Sequence, residues 1–206
     1  MMRLLRTSGA ERASIVAVDD DDIVGHVQLS RSWIDAREAL VEVLVLSPLS
    51  VLPTQQNRGI GTRLIKAALA EAARHGAPAV FLEGDSGYYG TRGFQAATPK
   101  KFHRPSHRIP EPAFQVALLP AYETWMVGQL VYPEAFWATD TVGLRDPTLR
   151  QIESEAGATA SPPSCPWPSG STDAPVAEAV THAHAHVDMR TPNPVSGVVE
   201  RCPGPY

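Results

Sequence analysis

The chain has little that would tie it to a membrane, to nucleic acid or to an oxidising compartment. None of its apolar runs reaches the roughly 18 residues of a membrane-spanning helix. Its 18 basic residues are outnumbered by 22 acidic ones, for a net charge of −4. That balance argues against a nucleic-acid-binding protein, which usually carries a basic face. We therefore expect no membrane partner and no nucleic-acid partner.

Cysteine is nearly absent as well, and there is no secretory signal pattern. The first nine residues are basic but lack the apolar segment of a signal peptide, so we expect a cytoplasmic protein. The two cysteines, Cys165 and Cys202, both lie near the C-terminus. We expect free thiols there, with a disulfide between them as the alternative.

The C-terminal part lacks the residues that build a core. Residues 154–206 contain no Leu, Ile or Phe but hold nearly half of the 19 prolines. Such a segment buries too little apolar surface to offset its ordering entropy, and we predict that it is disordered. The chain thus divides into a folded domain, residues 1–140, and a Pro/Ser/Ala/His-rich tail, residues 141–206. Three alternating histidines in the tail (His182, His184 and His186) are interpreted as compositional bias, with a metal-binding tract as the alternative.

One stretch of the remaining sequence is rich in information. An apolar segment runs into a short polar turn, two glycines follow, and a helical pattern begins; the stretch is Val51-Leu52-Pro53-Thr54-Gln55-Gln56-Asn57-Arg58-Gly59-Ile60-Gly61-Thr62. Glycine allows close approach to a ligand, and the first turn of a helix offers unpaired N–H groups to an anion. Arg58 and Arg63 add positive charge. The stretch predicts a bound pyrophosphate.

Two common phosphate loops do not fit this stretch. No Lys-Ser or Lys-Thr follows Gly61, as a P-loop requires, and position 64 is Leu where the dinucleotide fingerprint needs a third glycine. The pattern Gln56-x-x-Gly59-x-Gly61 resembles instead the coenzyme A loop of the GNAT (Gcn5-related) N-acetyltransferase superfamily. The alternative is a glycine-rich turn without a ligand.

A second motif strengthens this resemblance. The segment Gly84-Asp85-Ser86-Gly87-Tyr88-Tyr89-Gly90-Thr91-Arg92-Gly93-Phe94 is similar to one branch of GNAT acetyltransferases, with a Tyr four residues before a Gly-Phe pair. Asp85 is a good N-cap and Gly93 a good residue to follow a helix end, so we predict a short helix. The resemblance implies that Tyr89 lies beside the thioester sulfur and acts as a general acid. The alternative for Tyr89 is a packed core aromatic, the role expected for Tyr88.

Hydrophobic patterning supplies the rest of the fold. Residues 13–18 and 23–29 read as a hairpin around four aspartates, which we interpret as a solvated turn and not a metal site. Residues 40–51 form a strand with a bulge or kink at Ser47-Pro48. A helix over 62–75 and a strand over 79–83 imply a parallel strand pair. Later strands are predicted at 94–97 and 113–119, and residues 128–136 read as a final strand and exit.

The resemblance covers residues 13–136 and implies an α+β fold. In it, a mixed, mostly antiparallel central sheet with a splayed parallel strand pair is flanked by helices. It also implies acetyl transfer from acetyl-CoA, as co-substrate, to a primary amine on a small molecule or a protein. Backbone N–H groups at Leu49, Ser50 and Val51 would stabilise the oxyanion. The pyrophosphate would be held by Gln56, Asn57, Arg58, Gly59, Ile60, Gly61 and Thr62. Glu42, His26 and Glu83 are candidates for the general base, with none preferred.

The sequence departs from the family pattern at its start. GNAT domains usually place a strand and one or two helices before the first hairpin, and these form much of the acceptor pocket. Few residues precede Ala13, and we expect those elements to be missing. A non-catalytic acyl-CoA-binding module or a partner-dependent subunit is therefore the alternative function, and an interaction protein acting through its tail is a third. A homodimer is left open.

Overall fold

A computed structural model describes residues 1–155 and, as backbone, residues 198–201. The helices are α1 Met2–Thr7, α2 Ile60–Arg74, α3 Ser86–Gly90, α4 Glu134–Ala138 and α5 Thr148–Glu155. The strands are β1 Glu11–Asp19, β2 Asp22–Ala36, β3 Leu40–Val51, β4 Ala79–Glu83, β5 Gln95–Ala96, β6 Phe114–Leu118, β7 Gly128–Val131 and β8 Val198–Arg201. None of the helices in these ranges has the length and apolarity to cross a bilayer.

The strands form one mixed sheet, as the resemblance implied. Their order is β5-β6-β4-β3-β2-β1-β8, and β7 pairs with the far half of β2. Among the described strands, every pairing is antiparallel except that of β3 with β4. That parallel pairing covers only two positions, Leu44 with Val80 and Val45 with Phe81. The predicted splayed pair is therefore present.

The bulge in β3 is also confirmed. Val27 of β2 faces Leu49 of β3, whereas Leu29 faces Leu46, so three steps on β3 match two on β2. The irregularity falls on Ser47-Pro48, because proline has no N–H to give to a ladder. The bulge therefore lies just beyond Val45, the last residue of β3 that pairs with β4.

Strand alternation places two cores on opposite faces of the sheet. On one face, α2 packs its buried Leu64, Ile65 and Ala68 against the strands. The other face is covered by α1, α4 and the loops around them. Neighbouring residues divide between the two cores, so that Leu82 contacts the α2 side and Phe81 the other. We call these the α2 face and the opposite face.

Several predicted boundaries shift in the structure. The helix predicted from residue 62 begins at Ile60, and the residues before β1 contain the short helix α1, which sequence patterning did not indicate. Asp85 caps α3 as predicted, accepting a hydrogen bond from the Tyr88 N–H. Gly93 does not follow the helix end directly, because the chain makes a further turn after Thr91; Gly93 has the left-handed φ of +95°.

The division at residue 140 also needs adjustment. Val142 is fully buried, and Thr148–Glu155 is helical, so the residues just after 140 pack with the domain. The predicted disorder otherwise falls on residues 156–197 and 202–206, which lie outside the described residues. Cys165, Cys202 and the three histidines of the tail are among them.

The backbones of β7 and β2 approach each other closely at a glycine, and this gives a first testable prediction. Gly128 has φ +152°, and a Cβ there would lie 2.1 Å from the Asp35 carbonyl oxygen. We expect Gly128→Ala to lower the free energy of unfolding by about 3 kcal/mol, from backbone strain and overpacking. The matched control is Gly90→Ala, which meets nothing within 4 Å. Urea unfolding of both variants measures the difference, and equal midpoints would contradict the prediction.

Candidate active site

The loop between β3 and α2 is held open by its own side chains and backbone torsions. The Gln56 Nε2 amide donates to the Val51 carbonyl oxygen at 3.1 Å. Asn57 and Gly59 adopt left-handed torsions, with φ of 64° and 77°. Because Gly59, the residue before α2, provides no side-chain cap, the N–H groups of the first helical turn are available to an anion.

A small cavity of about 30 Å³ lies at this helix end. It is lined by Val51, Gln55, Gln56, Asn57, Gly59, Ile60, Gly61, Thr62, Tyr88 and Arg92. Most of the residues predicted to hold the pyrophosphate are therefore brought together. Arg58 is not among them, because its guanidinium is hydrogen-bonded to Gln55 and lies 3.6 Å from the Asp19 carboxylate.

Three residues that line the cavity were not predicted from the sequence: Gln55, Tyr88 and Arg92. The Arg92 guanidinium lies 3.8 Å from the centroid of the Tyr88 ring, and its Nε donates to the Thr62 hydroxyl at 2.9 Å. The Tyr88 hydroxyl is so close to Gly61 that a Cβ added there would lie only 2.3 Å from it. Tyr88 thus faces the loop as well as the core it was expected to fill. For Tyr88 and Arg92, the available signal was their closeness in sequence to Tyr89.

Leu49 and Ser50 do not line this cavity but lie in the strand segment that precedes it. They pair with Val27 and His26 of β2 on one side. On the other side, the recorded pairing of β3 with β4 ends at Val45, and the strands separate beyond it. Backbone groups of residues 49–51 on this side therefore border the opening between the two strands.

Tyr89 lies beside that opening, and its ring packs on the backbone of Gly84, the residue that follows β4. Its Cε2 would be 2.3 Å from a Cβ at Gly84, and its ring meets Phe94 edge-on at 5.8 Å between centroids. Burial, with smaller effects from neighbouring Tyr88 and Asp85, raises the pKa of Tyr89 to about 12 despite Arg92. The hydroxyl is therefore protonated at neutral pH, as a proton donor must be.

The three candidate bases differ sharply in their surroundings. Glu42 pairs with Arg12 at 2.9 Å and is half-exposed. His26 lies 2.9 Å from the Ser14 hydroxyl, and burial lowers its pKa, so the ring is neutral near pH 7. Glu83 is the exception, since burial raises the pKa of its carboxyl to about 7.

Glu83 is the last residue of β4 and is held from two distant parts of the chain. The Tyr132 hydroxyl donates to its Oε1 at 2.9 Å, and the Gly143 N–H donates to its Oε2 at 3.0 Å. These two hydrogen bonds and nearby Arg108 lower its pKa, but less than burial raises it. Glu83 alternates with Leu82, so it lies on the opposite face, next to the opening between β3 and β4.

A row of buried polar side chains lies on the same face of β2. Gln28, Ser30 and Ser32 are fully buried. Neither amide atom of Gln28 and neither serine hydroxyl has a hydrogen-bond partner within the described part of the chain. Native proteins rarely leave such groups unpaired, because each costs about 1–3 kcal/mol.

A wider cavity of about 550 Å³ lies elsewhere on the opposite face. Loop residues 102–107 and β7 form most of its wall, together with Thr98, Glu111 and Trp137. It shares no lining residue with the α2 cavity and includes neither Glu83 nor Tyr132. Although this cavity is the wider of the two, its walls do not include the coenzyme loop or Tyr89.

Comparisons with known proteins agree with this geometry. Residues 2–94 match the family model described as acetyltransferase (GNAT) family. A crystal structure of a GNAT family acetyltransferase from Brucella melitensis in complex with acetyl-CoA is 32% identical, with a TM-score of 0.52; the match covers 66% of this chain and 75% of that one. The YhbS GNAT protein from Escherichia coli, in complex with CoA, is 25% identical with a TM-score of 0.59, covering 66% and 74%.

A curated relative matches over a shorter stretch. The uncharacterized N-acetyltransferase YjhQ from Escherichia coli (strain K12) is 30% identical over 109 residues, which are 52% of this chain. The chain spans 60% of the length of that relative. Taken with the family model and the Brucella structure, these matches show that the chain belongs to the GNAT acetyltransferase family.

Proposed function

We propose that the protein is an N-acetyltransferase that transfers the acetyl group of acetyl-CoA to a primary amine. The observation that carries the proposal is that the open first turn of α2 and the half-buried Tyr89 flank one gap between β3 and β4. Structures similar to this one are described as complexes with CoA and with acetyl-CoA. Acetyl-CoA supplies the acetyl group as a thioester.

The residues of the chain suit the two halves of the coenzyme. N–H groups of Ile60, Gly61 and Thr62, aided by Arg92, would bind the pyrophosphate, because the helix end is positive and uncapped. Residues 49–51 would direct backbone groups at the pantetheine arm and the thioester oxygen along the open edge of β3. Gln56 holds the Val51 carbonyl and so positions this edge.

Tyr89 would donate its proton to the departing thiolate. It is protonated at neutral pH, and its ring is fixed by Gly84 and Phe94. A fixed, protonated hydroxyl beside the gap can act without reorganisation. Tyr88, whose pKa is also raised by burial, faces the pyrophosphate end instead.

Replacing each tyrosine in turn tests this assignment. We expect Tyr89→Phe to lower kcat by about 100-fold while the Kd for acetyl-CoA stays within a few fold, because a general acid acts on the reaction and not on binding. Tyr88→Phe, the matched control, should keep kcat near the wild-type value at saturating acetyl-CoA, and any effect should fall on Kd because Tyr88 lines the loop cavity. Release of CoA thiol in the presence of amines gives kcat, and calorimetry gives Kd.

The result also separates an enzyme from a binding module. Tight binding of acetyl-CoA without amine-dependent thiol release would favour a non-catalytic acyl-CoA-binding protein. An equal loss of kcat in both tyrosine variants would show that packing, not proton transfer, explains Tyr89.

A further inference from the structure

We propose that Glu83, Gln28 and Ser30 form the acceptor half of the site, where Glu83 takes the proton of the amine and the other two hydrogen-bond an uncharged polar acceptor. This inference rests on the acetyltransferase activity proposed above. It places the acceptor on the opposite face of the sheet from α2. The pyrophosphate loop would then reach the reaction from one face and the amine from the other.

The register of the sheet brings these residues to one level. Ser30 of β2 pairs with Val45 of β3, and Val45 pairs with Phe81 of β4. Two residues further along in the same direction are Gln28 on β2 and Glu83 on β4, since β2 runs antiparallel to the other two strands. Both lie on the opposite face, because Val27, Leu29 and Leu82 contact the α2 core.

The space between them is the bulged part of β3. Gln28 and Glu83 are two strand spacings apart, roughly 10 Å between backbones. Ser47-Pro48 lies between them, where β3 leaves the regular ladder with β2 and has already parted from β4. A small amine held between the two side chains would therefore lie over the opening in the sheet that Tyr89 borders on the other side.

The unpaired polar atoms are the independent observation that points to a ligand. Both amide atoms of Gln28 and the Ser30 hydroxyl are buried and unpartnered among the described residues. A ligand with hydroxyl or amide groups would supply the missing partners and recover their desolvation cost.

We call Gln28 and Ser30 the neutral acceptor strip, and the charges around it indicate the kind of acceptor. Gln28 and Ser30 are neutral, and burial lowers the pKa of nearby His26, so it is uncharged as well. Facing Glu83, Tyr132 after β7 and Arg108 in the loop before β6 are the titratable or charged groups, while its neighbour Phe114 on β6 has no charge. Glu11 pairs with Ser30 across β1 and β2, but its carboxylate already binds Arg6 at 3.3 Å. With Glu83 as the carboxylate left for the amine, the site fits an amine on a hydroxyl- or amide-bearing body better than a polycation.

The proton balance of the reaction is complete with these groups. A C–N bond forms between the amine nitrogen and the acetyl carbon, and the C–S bond breaks. The proton leaving the nitrogen goes to the Glu83 carboxylate, and the thiolate takes the proton of Tyr89. Solvent then returns the proton from Glu83 to the medium and reprotonates Tyr89. Tyr132 is a positioning residue, because it orients Glu83 through a hydrogen bond.

The test compares full-length wild type with Glu83→Gln, Tyr132→Phe and Gln28→Leu. The amines are glucosamine, ethanolamine and serinamide, with spermidine as the polycationic comparison. We expect wild-type kcat/KM to rise through an apparent pKa near 7 and to favour the first three amines. Glu83→Gln should lose this pH limb and at least about 100-fold in kcat, with an unchanged Kd for acetyl-CoA. Tyr132→Phe should move the limb to higher pH, since its hydrogen bond favours the charged carboxylate.

Gln28→Leu gives a readout besides activity. We expect its KM for the preferred amine to rise at least about 10-fold. Its Tm should increase at the same time, because a buried, unpaired amide is replaced by an apolar group of similar size. A residue that served only the fold would lose stability on this change.

Each other result overturns a stated part. A wild-type enzyme that turns over while Glu83→Gln keeps the pH limb removes Glu83 as the base. An unchanged KM in Gln28→Leu, or a preference for spermidine, removes the neutral acceptor strip. Acetyl-CoA binding with no turnover of any amine by the wild type overturns the acetyltransferase proposal itself, and the acceptor site with it.

Discussion

Replacing Gly61 by Asp is expected to weaken acetyl-CoA binding by about 1,000-fold or more. Gly61 lies in the first turn of α2 and lines the cavity, and a Cβ there would lie 2.3 Å from the Tyr88 hydroxyl. The new carboxylate would repel the pyrophosphate and displace at least one charge-assisted hydrogen bond. Together these effects amount to about 4 kcal/mol, which corresponds to roughly three orders of magnitude in Kd.

The control places the same charge on the same helix. Ala70 is exposed on α2, more than two turns from Gly61, so Ala70→Asp adds an acidic residue without approaching the loop. Calorimetric titration with acetyl-CoA should give a near wild-type Kd for Ala70→Asp and no measurable heat for Gly61→Asp. If Gly61→Asp, folded by circular dichroism, binds as wild type does, then the α2 end does not hold the pyrophosphate.

The second large effect concerns stability, and it follows from the buried carboxyl of Glu83. Its pKa is raised from 4.5 to about 7 by burial. The folded state therefore binds a proton that the unfolded state releases between these values. The stabilisation is fully present below pH 4.5 and is lost as the pH rises through 7. At about 1.4 kcal/mol per pKa unit, the loss is roughly 3 kcal/mol at most.

Glu83→Gln removes this titration because the amide stays neutral. We expect the free energy of unfolding of the variant, relative to wild type, to increase by about 2–3 kcal/mol between pH 5 and pH 8. Urea unfolding at a series of pH values measures it. Glu42→Gln, at a half-exposed position beside Arg12, is the control for replacing a carboxylate by an amide elsewhere on the sheet. A flat difference for Glu83→Gln would mean that this carboxyl titrates near its ordinary pKa.

Local patterning was sufficient to predict most of the sheet. Residues 40–51 and 79–83 are apolar runs with clear ends, and both became strands close to the expected bounds. The α2 helix followed from the spacing of Leu64, Ile65 and Ala68, which form its buried face. Even the bulge could be predicted, because proline cannot pair within a ladder. These features depend on residues that are close together in the sequence, so the sequence alone was enough to predict them.

Contacts between residues that are far apart in the sequence could not be predicted. Glu83 receives its hydrogen bonds from Tyr132 and Gly143, which no spacing rule connects with it. Arg92 was passed over because its role depends on α3 turning towards Thr62. Arg58 was placed at the pyrophosphate from its position in the motif, yet the fold pairs it with Asp19 at the end of β1. The unpaired Gln28 likewise shows only once the strands are in register.

β3 pairs along most of β2, but on the other edge the two halves of β2 have different partners, and this sets an order of assembly on that edge during synthesis. The first half pairs with β1 and can form a hairpin as soon as it leaves the ribosome. The second half must wait for β7, which emerges nearly a hundred residues later and pairs with Trp33–Ala36 only then. Tyr132, which holds the Glu83 carboxyl, follows β7 directly. A nascent chain paused before β7 can therefore contain the coenzyme loop while the carboxyl on which we expect the reaction to depend has no partner.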